Sequence, residues 1–214
     1  MPKETKVKIC GIMDIDTAVF CAQEGADFIG LNFSPKSPRK ISLSTALEIL
    51  NSIQEYFKHS EKKNMKIVNL FFENTSEEIY STCNQIQCDY VQLIAEDKFI
   101  KTETLKLDTP IIYSIGVQNS ISDSDLTQFR TELLILDTYT KGEGGGAGKT
   151  FDWSHIKDVR RNYFLAGGLT PENVAEAVKL LKPFGVDVAS GVERTRGIKD
   201  KEKISTFIKN AKRF

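Results

Sequence analysis

The chain has 214 residues, 29 Lys plus Arg against 29 Asp plus Glu, and so no formal net charge; 40% of it is hydrophobic and 27% charged. That is a soluble globular composition, its charge balance speaks against a nucleic-acid partner, and no apolar run approaches the ~20 residues of a membrane span. The opening Met-Pro-Lys-Glu-Thr-Lys lacks the apolar stretch of a secretory signal, which leaves the cytoplasm as the expected location.

Apolar runs alternate with amphipathic stretches along the whole chain. Residues 7–12 read as a first strand and 17–24 as a helix stopped by Gly25. The second strand is 28–33, and Leu47, Leu50, Ile53 and Phe57 recur at helical spacing in 44–57. The third strand is 66–72, after which Thr75-Ser-Glu-Glu opens a helix with acidic residues at its positive end. Strand four is 90–94, with a weak helix over 98–105; strand five lies in 110–117, with a short helical turn in 122–130. Strand six is 133–138, ahead of a glycine-rich loop at 142–148. Strand seven (162–166), a helix with Pro171 near its start (171–181), strand eight (186–190) and a closing helix (201–212) complete the series. Eight β/α units of about 27 residues predict one domain over 1–214, an α/β fold closed as a (β/α)8 TIM barrel. A doubly wound open sheet is the alternative, but Cys10-Gly11-Ile12 ends the first strand without a Gly-x-Gly-x-x-Gly.

Barrels of this kind build their sites at the C-terminal ends of the strands. Cys10, Arg39, Asp137, Gly167-Gly168 and Ser190-Gly191 all fall there or in the loops that follow. The two glycine-containing turns, after strands seven and eight, are where such barrels hold a phosphate, because glycine lets backbone N–H groups approach an anion. Cys10 and Asp137 form a candidate acid/base pair, a thiol to accept a proton and a carboxyl to give one. Arg39 follows the stiff Ser34-Pro-Lys-Ser-Pro38 and suits a carboxylate; the blander reading is one charge of a surface group with Lys36 and Lys40.

Other chemistries recede. His59 and His155 are the only histidines and no Cys-x-x-Cys occurs among Cys10, Cys21, Cys83 and Cys88, so no metal site is expected. The thiols other than Cys10 read as reduced small hydrophobes, and only His155 is even a remote partner for a nucleophilic cysteine. Gly142-Glu-Gly-Gly-Gly-Ala-Gly-Lys149-Thr150 resembles the end of a Walker A loop, but Glu143 stands where that motif needs glycine. A lid over the mouth fits it better.

Several stretches, in register along the whole chain, resemble the phosphoribosylanthranilate isomerase family of tryptophan biosynthesis. They are Lys8-Ile-Cys-Gly11, Ser37-Pro-Arg39, Leu136-Asp-Thr138, Gly145-Gly-Ala-Gly-Lys-Thr-Phe-Asp-Trp153, Leu165-Ala-Gly-Gly-Leu-Thr-Pro-Glu-Asn-Val174 and Asp187-Val-Ala-Ser-Gly-Val-Glu193 with Gly197-Ile-Lys-Asp200. The resemblance implies an Amadori rearrangement of N-(5-phosphoribosyl)anthranilate to 1-(2-carboxyphenylamino)-1-deoxyribulose 5-phosphate, without cofactor or metal. It implies Cys10 as the base that takes the C2′ proton and Asp137 as the acid that protonates the ring oxygen. Arg39 is then the anthranilate-carboxylate contact, and Gly167, Gly168, Ser190 and Gly191 form the phosphate cradle.

The chain departs from the family's pattern at three places. Ile94-Ala95 follows Gln92-Leu93 where the family commonly has His-Gly, Asn69 replaces a frequent Gly, and Arg196 replaces a frequent proline. The alternatives are another phosphate-binding barrel, either the histidine-pathway aldose isomerase or indole-glycerol-phosphate synthase, and a non-catalytic phosphosugar-binding barrel. The first of these uses an Asp where Cys10 stands, and the synthase uses early lysines, whereas Lys8 lies deeper than the mouth. The expected partner is a small phosphosugar, with neither nucleic acid nor membrane, for a monomer or homodimer.

Overall fold

Side-chain alternation along eight short strands decides what fills the centre of this molecule. The computed structural model describes residues 4–60, 65–95, 107–138 and 152–213. β1 (Lys6–Cys10), β2 (Phe28–Asn32), β3 (Lys66–Phe71), β4 (Tyr90–Ile94), β5 (Ile111–Val117), β6 (Leu134–Thr138), β7 (Tyr163–Leu165) and β8 (Gly185–Val188) form a closed barrel in chain order. Every pairing is parallel, and β1 closes the ring by matching Lys8 to Phe28 of β2 and to Asp187 of β8.

Alternate residues sort into two apolar regions. Phe28, Val68, Ile112, Ile135 and Phe164 point inward and plug the barrel, with Phe28 edge-on to Phe164 at 5.0 Å. Their neighbours Ile9, Ile29, Leu31, Val91, Leu93, Leu134 and Leu136 belong to the outer core beneath the helices. Toward the C-terminal strand ends the inward series turns polar, through Asn32, Gln92, Asp137 and Asp187. An apolar plug beneath a polar rim is what positions a site at this end.

The helices start and stop where their caps dictate. Asp14 accepts the Thr17 N–H, so α1 (Ile15–Glu24) begins two residues before the expected start, and Gly25 ends it at φ 85°. Ser42 caps α2 (Leu43–Lys58), and a Thr75–Glu78 capping box opens α3 (Ser76–Gln85). α4 (Val174–Leu181) starts later than expected, because 171–173 form a turn, and Asp200 caps α5 (Lys201–Ala211). The turn expected in 122–130 is a 3-10 turn at Asp123–Leu126, and another follows β6 at Trp153–Ile156.

Two expectations are corrected. The first strand stops at Cys10 rather than 12, because Gly11 turns to φ 73°. The eighth stops at Val188, and Ser190 belongs to a 3-10 turn, Ser190–Val192. An unforeseen hairpin, β9 (Glu193–Thr195) with β10 (Ile198–Lys199), separates β8 from α5. The weak helix over 98–105 and the glycine-rich loop at 142–148 lie outside the described residues. Among the described residues no helix is long and apolar enough to cross a membrane.

Candidate active site

Every site residue read from the sequence lines one cavity at the C-terminal mouth of the barrel, about 670 Å³ in volume. That is the size of small-molecule sites, ~300–1,000 Å³. A larger hollow of about 970 Å³ opens beside the N-terminal ends of β7 and β8, between Trp153, Arg160 and Leu180. It contains none of the expected acid/base groups, so chemistry favours the smaller one.

Cys10 ends β1 and is 7% exposed. Lys8, two residues earlier, shares its inward face. The Lys8 Nζ is fully buried and donates to Asp187 Oδ1 at 2.9 Å. Burial works against the ammonium, but Asp187 first and then Cys10 outweigh it and raise the Lys8 pKa above the ordinary lysine value. A permanent cation therefore sits directly beneath the thiol.

Asp137 is half-buried at the end of β6, which lies across β7 and β8 from β1. Its Oδ1 accepts the Thr138 N–H at 2.6 Å. The two candidate groups thus face one cavity from separate strands, as general acid/base work on a bound molecule requires.

Arg39 is buried rather than part of a surface group. Its Nε and Nη2 donate to the two Glu193 oxygens at 2.6 and 2.9 Å, and Lys199 Nζ donates to Glu193 Oε1 at 3.1 Å. A Cβ on Gly11 would stand 2.4 Å from Arg39 Cδ, so glycine is what lets the arginine stem cross the end of β1. Burial opposes the charge on each member of this trio. For Glu193, Arg39 and then Lys199 outweigh burial and hold its pKa at about 2. For Lys199 burial dominates and lowers the pKa. The guanidinium is locked by a two-point fork that leaves Nη1 outside the pair.

The two glycine-containing loops touch one another. A Cβ on Gly191 would stand 1.8 Å from the Leu169 carbonyl oxygen. Asn173 braces the first loop, donating to the Gly168 carbonyl at 3.0 Å and accepting the Thr170 N–H at 2.8 Å. Gln92 and Ser34 also line the cavity, and among the described residues their buried Oε1 and Oγ have no hydrogen-bond partner. Such atoms are ready to meet a polar ligand.

Sequence reasoning missed the roles of Glu193, Lys199, Asn173 and Gln92, and assigned nothing to the Lys8–Asp187 pair. Parity could have revealed Lys8, Gln92 and Asp187, each an inward-facing polar residue in a short apolar strand. Glu193 and Lys199 gave no such signal, because the hairpin joining them was not foreseen. His155 sits in the turn Trp153–Ile156, its carbonyl accepting the Ile121 N–H, and does not line the mouth. His59 is exposed and bonded to Glu55.

Comparisons with known proteins agree with this geometry. The family model described as PRAI, N-(5′-phosphoribosyl)anthranilate (PRA) isomerase, matches residues 7–210. An N-(5′-phosphoribosyl)anthranilate isomerase of Leptospira interrogans is 50% identical over 210 residues, covering 98% of this chain and 96% of that protein. The crystal structure of phosphoribosyl anthranilate isomerase from Thermotoga maritima superposes with a TM-score of 0.81 at 36% identity, covering 98% and 100% of the two chains. A phosphoribosyl anthranilate isomerase crystallised with reduced 1-(o-carboxyphenylamino)-1-deoxyribulose 5-phosphate superposes with a TM-score of 0.76 at 34% identity, again covering 98% and 100%. The inward-facing thiol, the carboxyl across the mouth and the paired glycine loops thus occur in a chain that belongs to the N-(5′-phosphoribosyl)anthranilate isomerase family.

Proposed function

We propose that this family member carries out its isomerisation in tryptophan biosynthesis with Cys10 as general base and Asp137 as general acid. The substrate is N-(5′-phosphoribosyl)anthranilate. Asp137 protonates the ribose ring oxygen as the furanose opens, leaving a protonated Schiff base at C1′. That cation acidifies the C2′–H, and the Cys10 thiolate removes the proton to give the enamine, which becomes the 1-deoxyribulose product. A proton acceptor at Cys10 must be a thiolate, and the Lys8 ammonium is the positive charge beside it. Arg39 meets the anthranilate carboxylate, and the loops at Gly167-Gly168 and Ser190-Gly191 hold the phosphate. Binding energy from these two ends orients the reacting centre. The same reading takes 1–214 as one barrel domain, working in the cytoplasm.

The observation that carries the assignment is that Cys10 and Asp137 line one cavity together with both glycine loops. Steady-state assays of Cys10→Ala and Asp137→Asn on phosphoribosylanthranilate test it. Each variant should lose ~10²–10⁴-fold in kcat, the worth of a positioned acid or base. Full activity in either variant removes that residue from the mechanism.

A further inference from the structure

The β9–β10 hairpin stands between the two anion-binding ends of the mouth. Its turn packs against the loop that carries Arg39: a Cβ on Gly197 would stand 3.2 Å from the Pro38 carbonyl oxygen. Its base is tied to the turn after β8. There the Asp200 N–H donates to the Val192 carbonyl at 2.9 Å, and Lys203 Nζ donates to the Glu193 carbonyl at 2.9 Å.

Lys199, in β10, joins the two ends. Its side chain is 1% exposed, and its Nζ donates to the Ala189 carbonyl at 2.8 Å and to Glu193 Oε1 at 3.1 Å. Ala189 directly precedes Ser190-Gly191, and its backbone, at φ −121° and ψ −76°, has already left β8. Glu193 Oε1 is the same oxygen that accepts the Arg39 Nε–H at 2.6 Å. One ammonium therefore ties the backbone of a glycine-containing loop to the counter-ion of the buried arginine. A buried donor cannot exchange its acceptors for water without leaving them unpaired, so the three groups hold one arrangement.

Lys199 builds neither end by itself. The fork from Arg39 engages both Glu193 oxygens without it, and Gly191 meets Leu169 through backbone alone. Lys199 does not line the mouth either, so it touches neither anion. What it fixes is the distance from one end to the other.

We propose that Lys199 is a positioning residue that sets the separation between the loop at Ser190-Gly191 and Arg39, and thereby selects a substrate with a phosphate at one end and a carboxylate at the other. The proposal rests on the reading of those two ends given above. A ligand with two anions gains from its second contact only when the two sites stand at its own span, because that contact is then intramolecular. With the tie removed the span drifts and that gain is lost, although each site keeps its affinity for a single anion.

Lys199→Met keeps the unbranched stem and removes the donors. The test compares the KM for phosphoribosylanthranilate with the competitive inhibition constants of inorganic phosphate and of anthranilate, each of which carries one of the two anions. Lys199→Met should raise KM about tenfold or more while both inhibition constants stay within about threefold of wild type. A merely structural lesion lowers the amount of active enzyme, and so kcat, or weakens the single-anion ligands in step with the substrate. Lys199→Gln, whose amide still donates but is one atom shorter, should show the same pattern in smaller measure, and it decides the matter if Lys199→Met does not fold. The proposal is overturned if KM is unchanged, or if either inhibition constant rises in step with KM. The wild type reports separately on the ends themselves, since phosphate and anthranilate should each compete with substrate. Absence of that competition would remove the reading of the ends and this proposal together. Competition in the wild type with an unchanged KM in the variants would remove this proposal alone.

Discussion

Lys8 Nζ and Asp187 Oδ1 meet at 2.9 Å between β1 and β8, the strands whose pairing closes the barrel. Both charges are almost completely removed from solvent, and the thiol proposed as base is the lysine's other partner. Lys8→Met leaves the Asp187 carboxylate buried without its counter-charge, and should cost about 3–5 kcal/mol in urea denaturation. Adding Asp187→Leu should recover most of that stability, because an apolar pair of similar volume is tolerated where half an ion pair is not. Turnover should not return with stability, since Cys10 still lacks its cation. Recovery of both together would mean that Lys8 acts only on the fold.

Glu193 carries a distinct dependence on pH. Burial would raise its pKa, but Arg39 and Lys199 hold it at about 2, below the ordinary 4.5. Its carboxylate therefore stabilises the folded chain fully above pH 4.5, and that contribution is lost as the pH falls toward 2. The shift corresponds to about 3 kcal/mol. Urea denaturation across this range should show wild type well above Glu193→Gln at pH 7, with the gap narrowing from pH 4.5 downward. A gap that stays constant down to pH 2 would contradict the assignment.

The eight strands were legible because each is a short apolar run bounded by turn residues, and β4 matches its expected bounds of Tyr90 and Ile94. The candidate site was legible as a set of strand-end residues, since a barrel brings such ends to one mouth whatever their separation in sequence. What the sequence did not disclose is pairing. Lys8 and Asp187 are 179 residues apart, and Arg39 and Glu193 are 154 apart, so no local pattern connects them. The β9–β10 hairpin was hidden for a different reason. It is a strand pair of three and two residues around Arg196-Gly197, too short for alternation to register.

Arg39→Lys tests how the buried fork serves binding. Lysine keeps the charge but cannot donate along two parallel N–H bonds to Glu193, so the cation loses its fixed direction. KM for phosphoribosylanthranilate should rise about tenfold, the equivalent of ~1.4 kcal/mol, with kcat within about threefold of wild type. An unchanged KM with a fallen kcat would show that the arginine acts on the transition state alone.

Gly191→Ala separates steric from conformational demands on glycine. Gly191 does not adopt a positive φ, so its backbone suits any residue; the obstacle is the Leu169 carbonyl oxygen, 1.8 Å from the added Cβ. Backbone must move to make room, which parts the two loops assigned to the phosphate. Gly25→Ala is the matched control, at φ 85° with nothing within 4 Å of its Cβ and at the end of α1 rather than at the mouth. It should cost about 1–2 kcal/mol of stability through its left-handed backbone and leave KM unchanged. Gly191→Ala should instead raise KM about tenfold or more and weaken competitive inhibition by inorganic phosphate in parallel. If both variants lost only stability, with phosphate inhibition intact, the phosphate would have to be held elsewhere in the mouth.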